Sequence, residues 1–383
     1  MALDPVAFLE ARQTQYLADL TTLAGMDSSS FDREDVNHVV EWLDLRLRAL
    51  NFETERFPQA KAGDELLANR YGSGKGRVLL LGHSDTVFPR GTAAARPITY
   101  QGDKLLGPGT CDMKAGLLAG VYAAEALDSL GFHDYERLSL LIVSDEEIDE
   151  RPSIPLIRST CREFDAVLTL EAARENGDIV TARKGVRSFE AQAFGHAAHS
   201  GVEPEKGRNA ILALAKKIVD LQALNRLENG ISVNVGYVEG GRLRNIVPDH
   251  ASIRFEARAF NQPDLDEITR RILNLFAQED AGVRFEVSYE QASPPMPHTP
   301  AVTALEALAV QTAADLGFTV RGAKTGGAAD AAYAVDEGVP ALDGLGPVGG
   351  LDHGPDEYIL VSSIVPRIAL LARLIMAICK TQN

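Results

Sequence analysis

Cysteine is scarce. Cys111, Cys161 and Cys379 are the only three in 383 residues, odd in number and unclustered. No disulfide framework or zinc knuckle can be built from them, and a reducing cytoplasm is the expected setting. Basic charge is also short: Lys and Arg total 38 against 54 Asp and Glu, a formal net charge of -16. Nucleic acid and anionic membrane both need a basic face, so neither is expected as a partner. The acidity does not call for a cationic substrate, because acidic surfaces mostly serve solubility. The start, Met1-Ala2-Leu3-Asp4-Pro5, lacks a basic segment and an apolar run, so no signal peptide is expected. No stretch is read as approaching the ~18 apolar residues of a membrane span. Internal repeats and low-complexity segments are absent as well.

Hydrophobic content of 45% and charged content of 24% are ordinary for a globular chain, and the length suggests two compact units. Residues 6–24 and 32–50 carry helical periodicity. In the second stretch Val36, Val39, Val40, Leu43, Leu47 and Leu50 share a face. Residues 51–57 and 66–70 read as strands, and Ser73-Gly74-Lys75-Gly76 as a hairpin turn. No helix follows those glycines, which argues against a phosphate loop.

Three short apolar runs follow, each ending in a histidine or carboxylate. Val78–Leu81 ends at Gly82-His83-Ser84-Asp85. Leu138–Val143 ends at Ser144-Asp145-Glu146-Glu147. Val167–Leu170 ends at Glu171. Such runs suit strands buried on both faces of a parallel sheet, where chemistry collects at the carboxyl ends. A glycine-rich loop, 107–116, adds Asp112 before a small-residue helix over 117–130. Asp149 and Glu150 are read as ordinary loop acids.

From 181 to 292 the order is strand, helix, strand, strand, helix, strand, the ferredoxin-like layout. The fold class expected is α/β, a mostly parallel sheet flanked by helices. Residues 1–180 and 293–383 form the catalytic domain, and 181–292 an inserted α+β domain. Pro294, Pro295, Pro297 and Pro300 mark the return, and a long apolar helix over 362–378 closes the chain.

His83, Asp112, Glu147, Glu171 and His353 are the candidate metal ligands. Two imidazoles and three carboxylates suit zinc, with cobalt or manganese as substitutes. Five ligands exceed one tetrahedral ion and suit two, one carboxylate bridging. Glu146, beside a ligand, is placed as general base. Asp85 would hold the second nitrogen of His83 and fix its tautomer.

The blocks Leu81–Val87, Gly109–Lys114, Asp145–Glu147 and Leu170-Glu171 resemble the four metal-site blocks of the di-zinc aminoacylase/carboxypeptidase family. Thr325–Tyr333 and the end of the chain are most similar to its glutamate carboxypeptidase branch. The resemblance implies hydrolysis of the amide bond of N-acyl or peptidyl amino acids with a free carboxylate. Acetylornithine or succinyl-diaminopimelate deacylation, or dipeptide cleavage, is the alternative. It implies that Asp112 bridges the metals, with His83 and Glu171 on one and Glu147 and His353 on the other. The inserted domain resembles a lid and dimerisation domain, which implies a homodimer. His199, in Ala197-Ala198-His199-Ser200-Gly201, would then serve a neighbouring site as an oxyanion donor. Asn245 and Arg258 would hold the substrate carboxylate, with Arg254 as a companion. Thr325, Gly326 and Gly327 would offer backbone donors, and His196 is left structural. Two departures put a preference for glutamate in doubt: Ser293 replaces a basic residue, and Asp178 falls where the branch places a lysine. A non-catalytic binding relative would lack a ligand or the base, but all are present. A dinucleotide enzyme would show G-x-G-x-x-G after the first buried strand, and none is there.

Overall fold

A computed structural model describes residues 4–148 and 151–382. Asp149, Glu150 and the first three residues, all read above from sequence, lie outside the described residues. Two compact units are present. One comprises residues up to Thr181, His298–Lys324 and Ala329 onward; the other comprises Ala182–Pro297 with Thr325–Ala328.

The chain opens with helices α1 (Val6–Ala24) and α2 (Arg33–Ala49). The Asp32 side chain accepts the Asp35 N–H and caps α2, an interaction of about 1 kcal/mol. Strands β1 (Glu53–Phe57), β2 (Glu65–Tyr71) and β3 (Arg77–His83) follow, then helix α3 (Ala115–Ser129), β4 (Arg137–Val143) and β5 (Ala166–Thr169).

The second unit contains β6 (Gly185–Phe194), α4 (Ala210–Gln222), β7 (Ser232–Gly240), β8 (His250–Ala259), α5 (Gln262–Phe276) and β9 (Arg284–Ser293). Its four strands pair antiparallel in the order β7-β8-β6-β9, which is the ferredoxin-like arrangement. Along β8, Ile253, Phe255, Ala257 and Ala259 are buried while Arg254, Glu256 and Arg258 face away from the core. Period-two alternation thus puts the three polar residues on one face. Phe255 stacks on Phe189, ring centroids 4.9 Å apart, beneath α4 and α5.

Helix α6 (Pro300–Asp315), the short strand β10 (Ala341–Leu342) and helix α7 (Ile364–Thr381) complete the first unit. Its sheet runs β1-β2-β4-β3-β5-β10. Strands β4, β3, β5 and β10 are mutually parallel, and β1 and β2 are antiparallel at one edge. The hairpin expected at 73–76 is therefore not formed. β4 lies between β2 and β3, and the turn runs instead along 133–136, where the Gly74 N–H donates to the Tyr135 carbonyl. A Cβ on Gly74 would sit 2.4 Å from the Asp134 backbone, which explains the glycine without a phosphate.

The segment 361–381, which contains α7, is long and apolar enough to cross a membrane, correcting the expectation that no stretch approaches such a span. Two-thirds of its most apolar window is buried, and α7 packs on α1, α3 and α6, so the apolarity serves the core.

Candidate metal centre

β4, β3 and β5 lie side by side and parallel, so the residues after each strand emerge at one sheet edge. Val78–Leu81 are fully buried, which fixes the register that brings His83 there. His83 Nε2 lies 2.9 Å from Asp112 Oδ1 and 3.6 Å from Glu171 Oε1. Asp112 Oδ2 lies 3.2 Å from His353 Nε2, which is also 3.2 Å from Glu147 Oε2. Asp112 thus turns one oxygen to each imidazole. All five expected ligands join one chain of contacts, and ligand atoms of His83, Asp112 and Glu147 lie within 4.8 Å of one another.

The electrostatics favour a cation. Burial pushes Glu147 up to about 7, helped by the charge of Asp112. Burial and Asp112 likewise raise Glu171 well above the carboxylate range. The bond to Asp112 lifts His353 to about 9 against the effect of burial. Burial alone would lower His83, but its bonds to Asp112 and Asp85 outweigh that and raise it. Glu147 Oε1 is buried without a hydrogen-bond partner among the described residues. Two imidazoles and three carboxylates, one with an unpaired buried oxygen, fit divalent metal ions.

Asp85 does more than was expected of it. His83 Nδ1 lies 3.0 Å from the Asp85 main-chain oxygen and 3.4 Å from its carboxylate. A carbonyl only accepts, so Nδ1 carries the proton and Nε2 keeps its lone pair for an ion. The Asp85 carboxylate accepts the N–H groups of Glu146 (3.2 Å) and Glu147 (3.1 Å) and the Ser30 hydroxyl (2.6 Å). It therefore ties the end of β3 to the loop after β4. The Glu146 carboxylate makes no hydrogen bond to another described residue, and burial pushes it up to about 8.

The second unit brings two pairs of candidates together. His199 pairs in register with Ile246, and the Ser200 N–H donates to the Asn245 carbonyl. His199 Nδ1 accepts the Gly201 N–H at 3.2 Å, so Nε2 bears the proton and can donate. Arg258 donates at 3.0 Å to the Gly326 carbonyl, but its fork is already engaged. Nε and Nη2 meet the two oxygens of Glu256 at 2.7 and 2.8 Å. Arg254 stacks on Tyr237. The Thr325 and Gly327 carbonyls accept from the Lys184 N–H and the Arg183 guanidinium. His196 bridges to Arg208 through its backbone. Asp178 is held by the Arg321 N–H and the Asn176 amide, and Ser293 is buried with its hydroxyl on the Pro294 carbonyl. Both side chains serve their own turns.

Residues 79–377 match the family described as Peptidase family M20/M25/M40. The chain belongs to this family. It is 27% identical over 383 residues to Carboxypeptidase G2 of Pseudomonas sp. (strain RS-16), covering 97% of this chain and 92% of that protein. It is 30% identical to acetylornithine deacetylase of Edwardsiella ictaluri (strain 93-146), covering 88% and 89%. Among solved structures, aminopeptidase PepT from Bacillus cereus ATCC 10987 superposes with a TM-score of 0.81 at 23% identity, covering 96% of this chain and 98% of that one. The Bacillus subtilis YXEP protein, a dinuclear metal-binding peptidase from the M20 family, gives 0.73 at 17% identity, covering 97% and 99%. The chain is a metallohydrolase of the M20 family with a catalytic α/β fold and an inserted α+β domain.

In this M20 chain some supporting residues escaped the sequence reading. The Glu357 carboxylate, 1% exposed, accepts the N–H groups of Gly109, Cys111 and Asp112 at 2.7–3.0 Å and holds the Asp112 loop. Arg151 meets Asp330 at 2.7 Å, and its Nε donates to the Asp145 carbonyl. Glu357 follows the His353 loop, but one acid among several there carries no spacing signal. Gly116 was read only as loop. A Cβ there would lie 1.8 Å from the Leu170 carbonyl, so only glycine lets α3 begin against the strand end that carries Glu171.

Proposed function

We propose that the chain hydrolyses the amide bond of N-acyl or peptidyl amino acids bearing a free carboxylate, as a cytoplasmic homodimer using two zinc ions. The observation that carries this reading is Asp112 standing between His83 and His353, with Glu147 and Glu171 alongside. Asp112 would bridge the two ions, His83 and Glu171 would complete one site, and Glu147 and His353 the other. Bound there, divalent ions supply Lewis acidity to the scissile carbonyl and acidify water.

The rest of the chemistry belongs to the chain. Glu146 takes the proton of the attacking water and delivers it to the leaving nitrogen. Burial raises its pKa and so strengthens it as a base. Asp85 holds the Glu146 and Glu147 backbone, so base and ligand are positioned by one carboxylate. His199, protonated on Nε2, donates to the oxyanion in the partner's site. Arg258 exchanges Glu256 for the substrate carboxylate beside the 325–327 loop, while Asn245, whose carbonyl accepts the Ser200 N–H, acts with His199. The inserted unit is the dimerisation element, and three buried free cysteines suit a reducing compartment.

The likeness to an acetylornithine deacetylase supports a second reading, a biosynthetic deacylase; both reactions release a free amino acid. A panel of N-acyl amino acids, folate-like glutamate conjugates and dipeptides, run with zinc, cobalt and manganese, separates them by kcat/KM. Hydrolysis of none would overturn the proposal. Mixing His199→Ala with Glu146→Gln chains should restore activity, and failure to complement would remove His199 from the neighbouring site.

A further inference from the structure

We propose that a cavity in the first unit, bordered by Glu147, receives the acyl side of the substrate and selects apolar, including aromatic, acyl groups over acetyl. The proposal rests on the amide-hydrolase reading and adds to it the class of acyl group. The cavity measures about 720 Å³, within the range of small-molecule sites. Phe31, Ala60, Ala62, Ile148 and Pro152 give it an apolar lining. Phe31 is 85% exposed, although it follows the buried Ser30. An aromatic ring left in solvent on a cavity wall offers surface for a ligand to cover.

Two residues connect this cavity to the metal centre. Glu147 lines it and lies 3.2 Å from His353. Ser30 lines it and donates its hydroxyl to Asp85. A carbonyl held beside Glu147 has the cavity at its flank, and the proposal seats the acyl substituent there. The charged lining does not oppose this. Arg151 is neutralised by Asp330 at 2.7 Å, and Lys61 is exposed to solvent. An acetyl methyl would leave most of the volume empty, whereas each further methylene covered by apolar wall improves binding about fourfold.

The test uses the metal-loaded full chain with N-acetylglycine, N-hexanoylglycine and N-benzoylglycine. Glycine has no side chain, so the acyl group is the only variable. The expected result is a kcat/KM for the hexanoyl and benzoyl compounds about 10-fold or more above acetyl. In Ala60→Trp, which fills the cavity from an exposed position, and in Phe31→Ala, that ratio should fall several-fold at unchanged metal content. An acetyl preference in the wild type, or a ratio that survives Ala60→Trp, would overturn the pocket while leaving the hydrolase reading intact. A second measurement is independent of turnover. Saturation-transfer NMR of N-benzoylglycine on Glu146→Gln should show contact at the ring protons, lost when Ala60→Trp is added. Absence of ring contact would overturn the proposal even if no N-acylglycine is hydrolysed.

Discussion

The end of the parallel sheet and the polar face of β8 both carry charged candidate residues, yet they are built differently. At the sheet edge the supporting side chains are locked by backbone. Asp85 accepts two N–H groups and Glu357 accepts three, and His83 is anchored to a main-chain carbonyl. On β8 the partners are side chains: Arg258 with Glu256 two residues away, and Arg254 on Tyr237. Backbone partners cannot leave without unfolding a loop, while a half-exposed ion pair exchanges at little cost. On the proposed function, backbone preorganises the reacting centre, and recognition at Arg258 is exchangeable.

The comparison can be broken from either side. The largest effect should come from Asp112→Ala, which removes the carboxylate shared by both histidines. Bound metal should fall below one per chain and kcat/KM by about 10⁴-fold or more, measured by elemental analysis and turnover. Glu357→Gln keeps the shape but weakens the clamp on the Asp112 loop, and metal affinity should fall about 10–100-fold, read by competition with a chelator. On β8, Arg258→Ala should raise KM for substrates with a free carboxylate about 10-fold or more, and far less for their amides. Glu256→Gln should move KM the other way, lowering it about threefold, because the arginine no longer exchanges one carboxylate for another. Equal effects on acid and amide substrates would remove Arg258 from carboxylate recognition.

A smaller effect tests the buried scaffold. Burial, with the charges of Asp145 and Asp85, pushes the Glu65 carboxyl up to about 9 from an ordinary 4.5. The folded chain keeps that proton while the unfolded chain loses it. The stabilising contribution is therefore full below 4.5 and is lost as pH rises toward 9. Glu65→Gln cannot ionise, so its Tm relative to wild type should rise by about 2 °C or more between pH 5 and pH 9.

Much of the candidate centre is legible in the sequence because it lies at strand ends. Apolar runs of four to six residues, each stopping at a histidine or carboxylate, can be counted from sequence, and parallel pairing then brings the ends together. What was not legible depends on pairing across the chain. The turn at 73–76 looked like a hairpin because nothing local announces that β4 inserts between β2 and β3. Glu357 reaches loop N–H groups about 250 positions earlier, which no spacing encodes. Glu256 was invisible as a partner of Arg258, since carboxylates on an exposed strand face are common. The apolarity of α7 is underread because Arg367, Arg373 and Lys380 interrupt it, although Arg367 is itself buried, its guanidinium donating to the Gly344, Gly346 and Gly177 carbonyls.

The claim that the sheet edge separates ligands from base is tested most directly by metal content in Glu146→Gln, measured beside the wild type after exhaustive dialysis. Two ions per chain in both proteins, with turnover reduced about 10³-fold or more in the variant, is the predicted result. Loss of an ion from the variant would make Glu146 a ligand and contradict it.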